Sequence, residues 1–493
     1  MKPESHQDQT ARPERPSPTA ELEKPTTPNE VYSTFTHHQK WLLMILVSTA
    51  ATFSGFASNI YFPALPTIAN DLDVSVTLVN LTVTTYMIFQ GLAPSIWGAV
   101  ADVKGRRMAY MCTFIVFLGA CIGLANMQNY ATLLVLRCLQ STGSASTIAI
   151  GSGVIGDITT RAERGGMMGV FQAGLLVPLA AGPIIGGALA GSLGWRSIFW
   201  FLTMYSGVFL IVLLLAFPET LRSLVGNGSL QPTNLLHRHP LALYQRYQTP
   251  SSKPQDHPVQ PHKPIDFLAP LRILANKRAI LPIAFLAIYY TTWQMSITAM
   301  STLFTRIYHL SETQIGLTFI ANGVGAMLGT LVTGKVLDME YRRAQSVHSV
   351  CSEGEAQQEK LFPIERARLR LLPLFAVAQC GALLTFGWTL EYGVHISVPI
   401  IATFVTGWTA VSIQAMVSTY MVDLFPENSA SASAAVNLAR CLVGAGGTAG
   451  VEGLITALGV GWALTVVVGV MGIGLVGLGL QGWLRKRGGD DEK

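Results

Sequence analysis

Residues 98–107 read GAVADVKGRR, and residues 334–343 read GKVLDMEYRR. Both fit G-x3-D-x3-R-R, and their offset, 334 − 98 = 236, is close to half of the 493-residue chain. Each copy closes an apolar run of about 20 residues, long enough to cross a hydrocarbon layer of about 30 Å as a helix. A chain that says nearly the same thing twice at such an interval points to a duplicated unit. The placement at the end of an apolar run points to a membrane boundary.

Composition agrees. Half of the residues are hydrophobic and 12% are charged, against about 25% charged in soluble domains. Twelve apolar spans are expected, at about 41–63, 79–101, 109–127, 131–156, 167–191, 197–217, 279–304, 313–337, 369–389, 396–424, 431–457 and 461–484. Lys and Arg gather on one side of these spans: Lys104, Arg106 and Arg107, Arg161 and Arg164, and Arg485 to Arg487. The links on the other side carry few. The positive-inside rule then places both termini in the cytosol. The net charge of +5 is explained by this flanking and indicates no nucleic-acid partner.

The domain reading follows. Residues 1–40 form a Pro-rich, polar, cytosolic N-tail of disordered composition. Residues 41–217 form one six-helix bundle, and 218–278 a cytosolic central loop. Residues 279–484 form a second bundle with a cytosolic loop at 338–368, and 485–493 a C-tail. The fold class is all-α: a polytopic membrane protein of twelve transmembrane helices in two six-helix, pseudo-symmetric halves. Such bundles bind small molecules at the midplane between the halves and expose them alternately to either side.

Several charges lie inside spans. Arg137 sits about 9 Å into span 4, at 1.5 Å per residue. A charge at that depth costs at least ~2.5 kcal/mol, so it faces the bundle interior and needs a partner. Gln140 is at i+3, on the same face. Arg440 is about ten residues into span 11, and Glu452 lies twelve further on. Glu452, near the outer side, is the one carboxylate well inside a span: a candidate protonatable group, or a Glu at the outer boundary. Twelve residues turn a helix by about 120°, so Arg440 and Glu452 need not share a face. Asp157 and Asp423 stand at cytosolic helix ends, as caps or gate pairs. Cys112, Cys121, Cys138, Cys380 and Cys441 lie in apolar segments without metal or disulfide spacing. The tyrosines Tyr61, Tyr86, Tyr289 and Tyr290 and the tryptophans Trp293 and Trp408 line a cavity or pack against lipid.

The repeated loop resembles the signature between spans 2 and 3 of the major facilitator superfamily. LRCLQSTGSAS at 136–146 is similar to the Arg-containing signature of its proton-coupled members. GVFQAGLLVPLAAGPIIGG at 169–187 resembles the antiporter signature of drug:proton exporters. Its residues are Gly169, Pro178, Gly182, Pro183, Gly186 and Gly187, with Pro178 where the family has Gly. NIYFPALPTIANDL (59–72), WRSIFWF (195–201), FPIERARL (362–369) and NLARCLVGAGGTA (437–449) also resemble the twelve-span drug:proton antiporters, the last two specifically those of fungi. The likeness spans about 41–484. It implies that Gly98, Asp102, Gly105, Arg106 and Arg107 latch the halves together in the outward-facing state. Gly98 allows a close helix approach, Gly105 a tight turn, and the two arginines hold the loop at the cytosolic surface. The second copy, with Asp338, puts Tyr341 at the turn Gly and reads as a degenerate latch. The antiporter motif implies a kinked, tightly packed seam that suppresses leak.

The resemblance implies a proton-coupled antiporter exporting a small organic molecule: a drug, a secondary metabolite, or an organic acid such as citrate or itaconate. An uptake symporter and a non-transporting nutrient sensor are the alternatives on this fold. Two roles for Arg137 stand side by side: it modulates proton transfer, or it binds a substrate carboxylate together with Gln140; a structural Arg bonded to neighbouring carbonyls is the third. With Arg440 and Glu452 these form the candidate substrate and proton-coupling set, and two deep arginines against one acid favour anionic or neutral substrates. No P-loop and no HExxH appears, so no enzymatic activity, cofactor or metal is expected. The expected partners are the small-molecule substrate, protons and membrane lipid. The expected state is a monomer in the plasma membrane.

Overall fold

The computed structural model describes residues 33–159, 161–228, 269–276, 278–350, 368–425 and 429–488. Within these, every element is helical, and twelve helices are long and apolar enough to cross a membrane. We number them α1 His37–Asn59, α2 Val76–Lys104, α3 Arg106–Asn126, α4 Tyr130–Ile158, α5 Arg161–Leu193, α6 Arg196–Ala216, α7 Ile280–Tyr308, α8 Glu312–Val350, α9 Leu372–Glu391, α10 Ser397–Leu424, α11 Ser429–Leu458 and α12 Val460–Gly488. The N-tail to residue 32, most of the central loop and most of the 338–368 loop lie outside the described residues.

Hydrocarbon offers no hydrogen bonds, so helix ends need partners of their own. Thr36 opens α1 with a capping box: its backbone N–H donates to Gln39 Oε1 at 2.9 Å, and its hydroxyl accepts from the Gln39 N–H. Ser75 and Asn129 cap α2 and α4 with their side chains alone, accepting from the Leu78 and Thr132 N–H groups. The Glu391 carboxylate, at the end of α9, accepts from the Val460 and Gly461 N–H groups and so caps α12.

The span limits differ from expectation in two places. The apolar run of span 1 continues to residue 63, but α1 stops at Asn59. Pro63 lacks an N–H and cannot continue a helix, so it starts a 3-10 turn, Phe62–Ala64, followed by a short helix, Leu65–Asp71. At the other repeat, α8 runs on to Val350. In the first copy the chain breaks at Gly105, whose φ of 104° suits glycine. Tyr341 at the matching position keeps its helix going.

The halves meet along two seams. Helix α2 packs antiparallel on α11, and α5 packs antiparallel on α8. In the second seam a Cβ built on Gly323 would sit 2.7 Å from the Ala180 Cβ, and one on Gly187 would sit 3.1 Å from the Gly316 Cα. These glycines let the backbones close, as small residues do between membrane helices. We call the membrane face with Lys104, Arg106 and Arg222 the basic face, and the opposite one the far face.

Candidate functional site

At the far face the halves are joined. The Thr67 hydroxyl donates to the Glu312 carboxylate at the head of α8. Thr313 donates to the Gly187 carbonyl at 3.2 Å. Phe62 stacks on Phe319 with ring centroids 6.1 Å apart. Nothing in the sequence marked Thr67 or Glu312, because they meet only through the fold.

At the basic face Arg106 of the first motif finds two carboxylates within its own half. Arg106 bonds Asp102 at 2.6 Å and Asp157 at 3.0 Å. Arg106 and Arg107 do not lie at the surface, as expected from their loop position; both are buried. The reason is reciprocal capping. Glu219, just after α6, accepts from the Arg106 and Arg107 N–H groups at the head of α3. The Arg107 guanidinium donates to the Phe217 and Leu214 carbonyls at the tail of α6. Each helix end thus neutralises the other's exposed dipole. Gly98 differs too: a Cβ there meets nothing within 4 Å, so the close approach on α2 belongs instead to Gly91, whose Cβ would lie 3.0 Å from the Cys441 Cβ. Asp338 lies within α8, and its side chain is outside the described residues.

The repeat is clearer in ion pairs than in motifs. Asp157, near the end of α4, pairs with Arg106 at the head of α3; Asp423, near the end of α10, pairs with Arg368 before α9 at 2.8 Å. Each half therefore ties the end of its fourth helix to an arginine at the basic face.

Arg137 is 1% exposed. Its guanidinium lies between the rings of Tyr61 and Tyr86, 4.2 and 4.3 Å from their centroids. It donates to the Ala57 carbonyl at 3.1 Å and to Gln140 Oε1 at 2.6 Å, while its Nε has no partner. Gln140 in turn donates to Cys121 Sγ. The two tyrosines are held by their own hydroxyls, Tyr61 to Thr82 and Tyr86 to Ser144. Among the described residues no carboxylate lies within ion-pair distance of Arg137. The i+3 spacing thus brought Arg137 and Gln140 together as expected, but the aromatic sandwich joins α4 and α2 with the connection after α1, which are far apart in sequence.

Arg440 is half-buried on α11. It donates to Asn437 Oδ1 at 2.7 and 3.1 Å and lies 4.8 Å from the Tyr290 ring. Asn437 reaches across the seam to the Gln90 carbonyl at 3.2 Å. Arg440 also lacks a carboxylate within ion-pair distance among the described residues. Glu452 does not meet Arg440. It is buried, and one oxygen pairs with Arg306 on α7 at 2.9 Å while Oε2 has no partner. The sequence reading missed Arg306, which is placed by the packing of α7 on α11.

In the antiporter-like segment, Gly169, Pro178, Gly182, Pro183, Gly186 and Gly187 all lie within the single helix α5. Pro178 packs against Gly55 of α1, and Gly182 and Gly186 pack against Asn59 and Ile60. Gly187 meets Gly316 of the other half. The segment thus wedges α5 between α1 and α8.

A family model described as Major Facilitator Superfamily matches residues 47–448. The chain belongs to the Major Facilitator Superfamily. As a member of this superfamily it is an integral, multi-pass membrane protein of a transporter family. It is 38% identical over 462 residues to Citrate exporter 1 of Aspergillus niger, covering 91% of this chain and 86% of that one. It is 36% identical over 451 residues to the MFS antiporter QDR2 of Candida albicans, covering 91% and 89%. It is 37% identical over 448 residues to the MFS-type transporter tstD of Talaromyces stipitatus, covering 89% and 81%. The crystal structure of the human organic anion transporter MFSD10 (TETRAN) shares its fold, with a TM-score of 0.57 at 15% identity, covering 89% of this chain and 99% of that one.

Proposed function

We propose that this protein is a proton-coupled antiporter that exports a small organic acid from the cytosol by alternating access. It acts as a monomer in the plasma membrane, with both termini and the basic face in the cytosol. The observation that carries the substrate class is the pair of unneutralised guanidiniums, Arg137 and Arg440, with no carboxylate within ion-pair distance of either among the described residues. A buried cation without a counter-ion is costly in a medium of low dielectric. An anionic substrate supplies the missing charge. A citrate exporter and an antiporter among its relatives support export and exchange.

Arg440 receives the anion first, because it is half-buried beside the α2–α11 seam. Arg137 acts when Tyr86 or Tyr61 yields, opening its free Nε to a second carboxylate. Arg137 and Gln140 then discriminate by geometry, since a guanidinium matches a carboxylate with a planar fork. Glu452 takes up the coupling proton on the far side, which this reading assigns to the exterior.

The test is counterflow from proteoliposomes loaded with citrate or with a cationic drug, under an imposed proton gradient. Citrate exchange driven by the gradient is expected, with Arg137→Lys and Arg440→Lys each losing it at least tenfold. Transport of the cation alone, indifferent to both substitutions, overturns the anion reading. Citrate exchange that ignores the gradient overturns proton coupling.

A further inference from the structure

Two buried side chains in the far-side half of the α2–α11 seam carry polar atoms without hydrogen-bond partners. Asn80 on α2 is fully buried, and both its Nδ2 and its Oδ1 are without partners. Glu452 on α11 is 4% exposed, with Oε2 unpartnered. A buried polar atom left unbonded has lost its hydration with nothing in exchange. Three such atoms within one helix pair call for an explanation.

The helix register puts the two side chains on facing surfaces. Along the seam, Gly91 faces Cys441, Met87 faces Gly444, and Thr84 faces Thr448. The helices are antiparallel, so one turn toward the far face moves four residues back on α2 and four forward on α11. From Thr84 and Thr448 that step reaches Asn80 and Glu452. Asn80 also accepts from the Thr84 hydroxyl through its carbonyl, which fixes its place one turn above on the same face. No hydrogen bond joins the two side chains in this conformation. Charged groups around the carboxylate are few: Arg306 from α7 is the one within ion-pair distance among the described residues. Helix α2 presents Asn80 and Thr84 there, neither of which titrates.

We propose that Asn80 and Glu452 form one proton site shared between the halves, with Asn80 as the positioning residue. This rests on the reading of Glu452 as the proton-binding group and names its partner. A carboxamide suits the task because it serves both protonation states. Its Nδ2–H donates to the carboxylate. When Glu452 binds a proton on Oε2, the new O–H donates to Asn80 Oδ1. Proton uptake removes one negative charge and leaves Arg306 without its counter-ion, but Arg306 is more than half exposed and stays hydrated. Because the bond crosses the seam, making it draws the far ends of α2 and α11 together, and breaking it releases them. The proton is thereby tied to the relative position of the halves rather than to one half alone.

The experiment needs no substrate, so its result is independent of whether transport by this protein uses citrate. The full-length protein is titrated in lipid nanodiscs and the protonated-carboxyl infrared band is followed. Glu452→Gln identifies the band that belongs to Glu452. In Asn80→Leu that band is expected to move to higher frequency, as a carboxyl without its hydrogen bond does. In Asn80→Asp a second carboxyl faces the first, and mutual repulsion is expected to raise the higher midpoint by about one pH unit or more. A Glu452 band with unchanged frequency in Asn80→Leu and unchanged midpoint in Asn80→Asp overturns the proposal. If either variant fails to fold, oxidation of the double variant Asn80→Cys/Glu452→Cys decides: a cross-link supports the facing geometry. Absence of that cross-link, while Thr84→Cys/Thr448→Cys forms one, overturns it. A shifted band with unaltered gradient-driven transport would keep the shared site and sink only the coupling role of Glu452.

Discussion

The hydroxyls of Thr84 on α2 and Thr448 on α11 lie 3.1 Å apart and join the two halves inside the membrane-spanning length. Below them Gly91 approaches Cys441 so closely that a Cβ on Gly91 would stand 3.0 Å from the cysteine Cβ. Disulfides need about 3.5–4.5 Å between these atoms, a separation reached by a shift of under an ångström. Gly91→Cys is therefore expected to cross-link to Cys441 under mild oxidant, in a background with the other cysteines replaced. Transport should stop on oxidation and return on reduction. Mass spectrometry of the tryptic peptides checks the bond. Its absence would mean that α2 and α11 do not pack here.

The basic-face charges differ in weight. Asp157 is mostly buried against Arg106, while Asp102 is 59% exposed beside the same arginine. Removing one partner of a buried pair leaves an uncompensated charge and costs about 3–5 kcal/mol. An exposed pair contributes about 0–1 kcal/mol. Asp157→Asn is thus expected to lower thermal stability markedly, and Asp102→Asn hardly at all. If the loop latches the halves in the outward-facing state, as the family resemblance implies, Asp102→Asn cuts transport severely at wild-type stability, and Asp338→Asn does so more mildly. Unfolding curves measured beside exchange rates separate the two effects. Equal, wild-type-like transport in both Asn variants removes the latch.

Glycines sort by what surrounds them. At Gly323 an added Cβ would strike Ala180 of the other half at 2.7 Å, whereas at Gly98 and Gly334 it meets nothing within 4 Å. Gly323→Leu should open the α5–α8 seam and leave little transport, with a passive leak measurable as dye-reported proton entry. Gly98→Ala and Gly334→Ala should be near wild type, since helix propensity favours Ala over Gly by about 1 kcal/mol. A tight, active Gly323→Leu would show that the seam tolerates separation.

The Arg137 sandwich makes a prediction of its own. Tyr86→Phe keeps the ring over the guanidinium and loses the bond to Ser144; Tyr86→Leu loses both. Cation–π contact on a desolvated Arg is worth up to about 2 kcal/mol. Tyr86→Leu should therefore destabilise the protein more than Tyr86→Phe, and by less in an Arg137→Met background. Identical effects in both backgrounds would deny the ring any part in holding the charge.

Apolar length alone led to twelve spans and their order, because a run of about 20 apolar residues crosses hydrocarbon as a helix, which satisfies its own backbone groups. The duplication was legible in GAVADVKGRR and GKVLDMEYRR, and the Gly105 turn in its glycine. Arg137 with Gln140 was legible as well, because i+3 neighbours share a face in any helix. Local chemistry also explains the misjudged end of α1, where Pro63 outweighs an apolar run.

What remained to be decided was partner choice. Tyr61 and Tyr86 around Arg137, Arg306 on Glu452 and Thr67 on Glu312 all join residues from different elements. Their sequence separations range from tens to hundreds of residues, and no local pattern encodes them. Each depends on the register at which two helices pack, which is set by side-chain shape summed along the whole seam. Arg106 and Arg107 carry the same lesson. As a basic loop they read as surface residues, yet reciprocal capping of α3 and α6 draws them inside, since unsatisfied helix ends cost more there than buried guanidiniums that have found carbonyls and a carboxylate.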